Sequence, residues 1–128
     1  MILQINMSSD VPIYMQLRNQ IVMGIGCGEL KAGQDLPTVR QLAEDIGINM
    51  MTVSKAYTIL KNEGFIEIDR RHGAKVRKEL DPNQQFCEKL EAELFLLAAE
   101  SKARGMDKAD FFELCEKIFS HKLKEKHL

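Results

Sequence analysis

Basic side chains are concentrated in one short stretch of this sequence. Positions 70 to 78 contain five cationic residues and no acidic one: Arg70, Arg71, Lys75, Arg77 and Lys78, with His72 among them. Guanidinium and ammonium groups at this density favour the binding of phosphate or another polyanion. A charge run of this kind is also common on an ordinary solvated surface. The elements around the cluster must therefore decide between the two interpretations.

Charge also differs between the two parts of the chain. The 128 residues have a net charge of −1. Residues 1–78 contain ten Lys/Arg and eight Asp/Glu, a net of +2, whereas residues 79–128 contain eight and eleven, a net of −3. Asp81 and Pro82 interrupt the helical pattern close to this change in charge. We therefore predict two domains, 1–78 and 79–128.

Two short helices are predicted in the middle of the first domain. Thr38 is a candidate N-cap with Gln41 three residues later, and Gly47 ends the helix. Asn49 is a candidate cap for a second helix that ends near Asn62 and Gly64. Both helices have apolar residues on one face: Val39, Leu42, Ala43 and Ile46 in the first, and Val53, Ala56, Tyr57 and Leu60 in the second. The pair is a helix-turn-helix, whose second helix is the candidate reader of a DNA major groove.

The flanking segments complete this arrangement. Ser8, Ser9 or Asp10 is predicted to cap an earlier helix, with Pro12 in its first turn and apolar residues at 13, 17, 21 and 25. Residues 28–37 are predicted to be a loop, and residues 2–6 a short strand or an extended lead-in. Residues 65–68 and 74–78 alternate as two antiparallel strands joined by the basic tip 69–73. A hairpin that directly follows a helix-turn-helix is a wing.

Three segments resemble the DNA-binding domain of the GntR family of bacterial repressors. They are PIYMQL (12–17), GELKAGQDLPTVRQLAEDIGI (28–48) and TVSKAYTILKNEGFI (52–66). Only about fifty residues follow, which resembles the YtrA-like subfamily with its short helical tail. The resemblance implies a mainly α fold with a small β-wing, a winged helix-turn-helix followed by a two-helix dimerisation tail. It also implies a cytoplasmic, homodimeric bacterial transcription regulator, a repressor, whose partner is a palindromic operator in double-stranded DNA.

The same resemblance indicates which residues contact DNA. Arg40 matches the family arginine that contacts the backbone or a base, and Thr38 can add a phosphate contact at a helix N-terminus. The next helix begins with Asn49-Met50 in place of the usual Ser-Arg or Thr-Arg, so the family's operator preference cannot be transferred. The predicted DNA-binding residues are Thr38, Arg40, Asn49, Met50, Thr52, Ser54, Lys55, Tyr57, Arg70, Arg71, His72, Gly73 and Lys75.

Some of these residues also have structural explanations. Arg40 and Glu44 have the spacing of an ion pair along a helix. Thr52 is equally well explained as a helix-start residue that bonds back to Asn49. Tyr57 is expected to belong mainly to the core, with its hydroxyl free to reach a phosphate. Of the pair Met50 and Met51, one is expected to pack inward.

The second domain has two predicted helices with large apolar stripes. The first helix ends at Gly105, and Asp107 caps the second, which extends to Leu123 and whose C-terminal dipole is suited by Lys122, Lys124 and Lys126. The stripes either fold back onto their own domain or pack against a second copy. The apolar content exceeds what a two-helix hairpin can bury, which favours the second copy. The predicted dimerisation residues are Phe86, Leu90, Leu94, Leu97, Phe111, Phe112, Cys115, Ile118 and Phe119.

Other functional classes have little support in the sequence. The three cysteines and three histidines are scattered, so we expect neither a disulfide framework nor a metal site or cofactor. A glycine-rich phosphate loop and a nucleophile constellation are lacking, which argues against an enzyme. We expect no membrane span and no leader peptide. A small-molecule effector stays open, in a pocket between tail and wing or between subunits. The alternative function is a protein-interaction module.

Overall fold

The computed structural model describes residues 3–71 and 73–120. Its elements are α1 (Ile13–Gly26), α2 (Val39–Ile46), α3 (Met50–Asn62), β1 (Ile66–Asp69), β2 (Gly73–Val76), α4 (Gln84–Ala103) and α5 (Lys108–Phe119). The chain forms two compact units, residues 1–80 and 81–128. In the described ranges, no helix has both the length and the apolar character needed to cross a membrane. The mainly α fold with a small antiparallel wing is confirmed.

The first helix begins later than the sequence suggested. Pro12 is the residue before α1 and makes no side-chain cap, so the prediction that Ser8, Ser9 or Asp10 caps this helix is wrong. Glutamines of α1 hold the preceding segment in an extended path. The Gln16 side chain accepts from Asn6 N–H at 2.8 Å and donates to the carbonyls of Asn6 and Val11. Residues 3–6 are therefore an extended lead-in and not a strand.

The helix-turn-helix forms with the caps expected from the sequence. Thr38 Oγ1 accepts from Gln41 N–H at 3.0 Å, and Asn49 Oδ1 accepts from Met51 N–H at 2.7 Å. Gly47 ends α2 with φ 71°, in the left-handed region that glycine adopts without steric cost. The two helices are thus separated by a turn of only three residues, Gly47 to Asn49. This close spacing fixes α3 against α2.

The wing contains one more strand-like segment than predicted. β1 and β2 pair antiparallel, with Ile66 opposite Val76 and Asp69 opposite Gly73. Residues 33–36, expected to be part of a loop, also pair with β2: Leu36 N–H donates to Ala74 O and Val76 N–H donates to Gln34 O. The Asp35–Lys75 bridge marks this contact. The segment before α2 and the wing are therefore hydrogen-bonded to each other.

One apolar core lies beneath all these elements of the first unit. It includes the predicted inward faces of α2 and α3, and its most buried large side chains are Leu17, Ile21, Leu60, Ile66, Val53 and Val76. Gly24 allows the Leu30 side chain to pack closely against α1, since a Cβ at position 24 would lie 3.1 Å from Leu30 Cδ1. The core is complete within residues 3–80.

The second unit consists of α4 and α5. Asn83 Oδ1 accepts from Phe86 N–H at 2.8 Å, and Asp107 Oδ1 accepts from Asp110 N–H at 2.9 Å. The cap predicted at Asp107 is therefore confirmed, and the first helix ends just before Gly105, which has φ 87°. Neither helix contains a buried residue. Lys122, Lys124 and Lys126 lie outside the described residues.

Candidate nucleic-acid interface

The outward face of α3 is the centre of the candidate interface. Val53, Ala56, Tyr57 and Leu60 are buried on one side of this helix. Helical periodicity places five other residues on the opposite side, where the structure leaves them exposed: Met51, Ser54, Lys55, Thr58 and Asn62. Residues 49–62 contain no Asp or Glu. This face can therefore approach phosphates without carboxylate repulsion. The predicted DNA-binding residues did not include Met51, Thr58 or Asn62, which the helical period alone would have placed here.

The N-terminal end of α3 is unusually apolar on its surface. Met50 is 45% exposed and Met51 80% exposed, so the prediction that one of them packs inward is wrong. The reason is positional, because both precede Val53, the first buried residue of the helix. Thr52 is half-buried, and its backbone N–H donates to Asn49 O at 3.1 Å. The exposed thioethers can contact apolar groups such as a thymine methyl.

A second group of polar side chains lies at the start of α2. Arg40 is exposed, and in residues 3–71 and 73–120 it forms no ion pair with Glu44. Thr38 Oγ1 already accepts one hydrogen bond from Gln41, so its hydroxyl hydrogen is available to donate. Both groups are suited to phosphate oxygens at a helix N-terminus.

Tyr57 belongs to the core, as predicted, but its hydroxyl is not free. Its side chain is 2% exposed, and its hydroxyl donates to the Pro37 carbonyl at 2.7 Å. Burial raises the pKa of this hydroxyl, which keeps it a neutral donor. The prediction that the hydroxyl is free for a phosphate is therefore wrong, because its single hydrogen is already used. Tyr57 instead ties α3 to the residue that precedes the α2 cap.

The wing tip is the third part of the candidate interface. Arg70 and Arg71 are exposed, and Asp69 Oδ1 accepts from Arg71 N–H at 2.8 Å. Gly73 has φ 74° where the chain enters β2, which suits a tight reversal. Lys75 lies opposite Glu67 across the sheet. His72, also predicted to bind DNA, lies outside the described residues. The two arginines thus lie exposed in the turn between the paired strands.

Two cationic side chains make contacts around α3 that were not predicted from the sequence. Lys55 Nζ lies 3.9 Å from the centroid of the Tyr14 ring of α1. Arg18, also on α1, pairs with Glu63 at 2.8 Å and lies over the Phe65 ring at 5.6 Å. These pairs join residues more than forty positions apart, so no local pattern indicates them. Both link α1 to α3 or to the residues just after it.

The predicted dimerisation residues lie on the two helices of the second unit. Those of α4 are exposed, Leu90 by 48%, and so are Phe112, Cys115, Ile118 and Phe119 of α5; Phe111 is half-buried. Phe95 and Leu96 are also exposed, by 76% and 60%. An exposed apolar surface of this extent is typical of interaction sites.

The family model "Bacterial regulatory proteins, gntR family" matches residues 13–76. HTH-type transcriptional regulator Rv1152 of Mycobacterium tuberculosis is 32% identical over 84% of this chain and 86% of its own length. HTH-type transcriptional repressor YtrA of Bacillus subtilis is 45% identical over 56% of this chain and 55% of its own. The solved structure of YtrA from Sulfolobus acidocaldarius, a GntR-family transcription factor, matches with a TM-score of 0.67 and 37% identity. The match covers 77% of this chain and 99% of that one.

These likenesses extend beyond the helix-turn-helix. The Rv1152 and Sulfolobus YtrA matches cover more of this chain than residues 13–76. Proteins of this family are transcription regulators and not enzymes, in agreement with the sequence-based expectation. The chain therefore belongs to the GntR family and is a YtrA-like, DNA-binding transcription regulator.

Proposed function

We propose that this regulator is a cytoplasmic repressor that binds a palindromic operator as a homodimer, with α3 of each copy in the major groove of one half-site. The observation that carries the proposal is the outward face of α3. It is exposed, contains no acidic residue and begins at the capped end beside α2. A face of this kind matches the way helix-turn-helix proteins enter the groove.

The contacts can be divided into positioning and base-reading groups. Arg40, Thr38, Lys55 and the wing tip are the proposed phosphate contacts, since they supply exposed cations or a free hydroxyl hydrogen. Asn49, Met50, Met51 and Ser54 are the proposed base contacts near the entering end of α3. Thr52 is half-buried, so we expect it to contribute less to DNA contact than these exposed residues. Tyr57 is excluded from direct contact by its bond to Pro37.

The second copy is supported by the apolar surface of α4 and α5. A stable helical unit buries an apolar stripe, yet no residue of either helix is buried here. A second copy of the same stripe supplies a symmetric, self-complementary partner. Two linked winged units would then reach two half-sites, which raises the operator affinity above that of one unit.

Footprinting on the DNA upstream of the protein's own gene tests the function. We expect protection of two half-sites separated by one helical turn or a multiple of it. Binding measured against salt concentration should have a log–log slope near −0.9 for each neutralised phosphate. A folded dimer without salt-sensitive binding to any duplex would refute the proposal and favour the protein-interaction module.

Arg40→Ala tests the contact at α2. If Arg40 reads a base, we expect operator binding to weaken by about 1–3 kcal/mol. If Arg40 contacts a phosphate, the log–log dependence of binding on salt should become less steep by about 0.9. Arg104→Ala is the matched control, since Arg104 is exposed and follows α4. Equal binding by the Arg40→Ala variant and the wild type would remove Arg40 from the interface.

Leu90→Glu tests the dimer. A charge in the centre of the α4 stripe should shift the mass in solution from dimer to monomer, because a buried unpaired carboxylate is costly. Gln85→Glu adds the same charge to another face of α4 and should leave the dimer intact. A Leu90→Glu protein that stays dimeric would place the interface elsewhere.

A further inference from the structure

The Lys55 side chain is held by an aromatic ring at the edge of the candidate interface. Its Nζ lies 3.9 Å from the centroid of the Tyr14 ring, well within the range of a cation–π contact. Tyr14 is half-buried and packs against the core, so the ring is fixed. Lys55 itself is exposed. The ammonium therefore has one face on the ring and its remaining surface open to solvent.

A lysine held in this way differs from a free surface lysine. A free lysine side chain occupies many rotamers, and ordering it on a phosphate costs conformational entropy. A ring beneath the ammonium restricts those rotamers before DNA arrives. It does so without neutralising the charge, since a tyrosine ring is uncharged. A carboxylate partner would hold the lysine equally well but would compete with phosphate for it.

We propose that Tyr14 is a positioning residue for DNA binding: its ring pre-orients the Lys55 ammonium toward a backbone phosphate. This inference rests on the proposed contact between Lys55 and the DNA backbone. It assigns a role in DNA binding to α1, through a residue that does not itself touch DNA. The ring is the part of Tyr14 that acts, and its hydroxyl contributes nothing.

The experiment uses the full chain and a mixed-sequence DNA duplex at low salt, because phosphate contacts do not depend on base sequence. Five proteins are compared: wild type, Tyr14→Phe, Tyr14→Leu, Lys55→Gln and the Tyr14→Leu/Lys55→Gln double variant. Phenylalanine keeps the ring and removes the hydroxyl, whereas leucine removes the ring and keeps an apolar side chain. Circular dichroism and melting temperature check that each variant is folded. Lys89→Gln, on α4, is the control for loss of one exposed lysine charge.

Lys55→Gln should make the log–log dependence of binding on salt less steep by about 0.9, as expected for one lost phosphate contact. Tyr14→Leu should weaken binding by about two- to fivefold, the range of an exposed cation–π contact. Tyr14→Phe should bind as the wild type does. In the Lys55→Gln background, Tyr14→Leu should have no further effect. The Lys55 Hε resonances of the free protein should move upfield through the ring current in the wild type and Tyr14→Phe, and lose this shift in Tyr14→Leu.

Three results for the Tyr14 variants would overturn the inference while leaving the proposed function intact. Equal weakening by Tyr14→Leu with and without Lys55 would show that the ring acts independently of the lysine. Tighter binding by Tyr14→Leu would show that the ring holds Lys55 away from DNA. Weakening by Tyr14→Phe would assign the contact to the hydroxyl. Failure of the proposed function is distinct, since the wild type would then bind no duplex. Failure of the Lys55 contact alone appears as unaltered binding by Lys55→Gln, and it overturns the positioning role with it.

Discussion

Tyr57→Phe isolates one buried hydrogen bond that joins α3 to Pro37, the residue before the α2 cap. The Tyr57 hydroxyl donates to the Pro37 carbonyl at 2.7 Å, and the side chain is 2% exposed. Phenylalanine fills nearly the same volume, so the change removes the donor and leaves the packing. We expect the free energy of unfolding to fall by about 1–2 kcal/mol, the cost of leaving a shielded carbonyl without its donor.

The assay is urea denaturation followed by far-UV circular dichroism at pH 7 and one fixed protein concentration. The urea concentration at the unfolding midpoint should fall. The slope of the unfolding free energy against urea concentration should stay unchanged, because the surface exposed on unfolding is the same. The melting temperature should fall by about 4–8 °C for each kcal/mol in a unit of this size. Tyr14→Phe is the matched control and should unfold like the wild type. A Tyr57→Phe midpoint equal to that of the wild type would refute the role given to this hydrogen bond.

The same tyrosine makes stability depend on alkaline pH. Its folded-state pKa is raised by burial above the value of about 10 for an unfolded tyrosine. The stabilisation is therefore complete below pH 10 and is lost as the pH rises toward the folded pKa, with a slope of about 1.4 kcal/mol per pH unit. Tyr57→Phe lacks this slope, so the stability difference between the two proteins should shrink above pH 10. A constant difference between pH 9 and pH 11.5 would contradict the raised pKa.

Three further changes test individual features of the first unit. Gly47→Ala should destabilise the protein by about 1–2 kcal/mol, because φ at position 47 is 71°. Gly26→Ala is the control and should be neutral or stabilising, because position 26 is at the end of α1 with open space around it. Equal melting temperatures for the two variants would contradict this expectation. Asn49→Ala should cost about 1 kcal/mol of stability by removing the α3 cap, read from urea midpoints, with Asn62→Ala as the control. Arg18→Met should cost about 0.5–1 kcal/mol through the lost Glu63 ion pair, and the cost should be smaller in the Glu63→Gln background, where only the contact with the Phe65 ring is left to lose.

The features predicted well from sequence are those fixed by neighbouring residues. Thr38 and Asn49 cap their helices through side-chain bonds to N–H groups two or three residues ahead. Gly47 ends α2 through its own backbone conformation. The buried stripe of α3 follows from the helical period and the apolar content. Each of these depends on a window of a few residues, which a single sequence contains in full.

The features that sequence analysis missed depend on contacts between distant segments. Residues 33–36 pair with β2, forty positions later, through backbone groups that carry no sequence signature. The acceptor for the Tyr57 hydroxyl is a proline carbonyl twenty positions earlier. The extended path before α1 is held by Gln16, which donates to the Asn6 and Val11 carbonyls. A polar side chain in a sequence shows its donors and acceptors, but the fold decides which of them remain free for DNA.

The two units differ in what a single chain can supply. In the first, Leu17, Val53 and Val76, from three separate elements, are each fully or almost fully buried, so the partner of every apolar stripe lies within residues 3–80. In the second, the pattern that predicted two helices was sufficient for α4 and α5 but could not identify the surface they pack against, since neither helix has a buried residue. A hydrophobic stripe specifies only that some apolar partner is required. For the proposed dimer, that partner is the same stripe on a second copy, so the stability of the tail depends on protein concentration while the core of the winged unit does not.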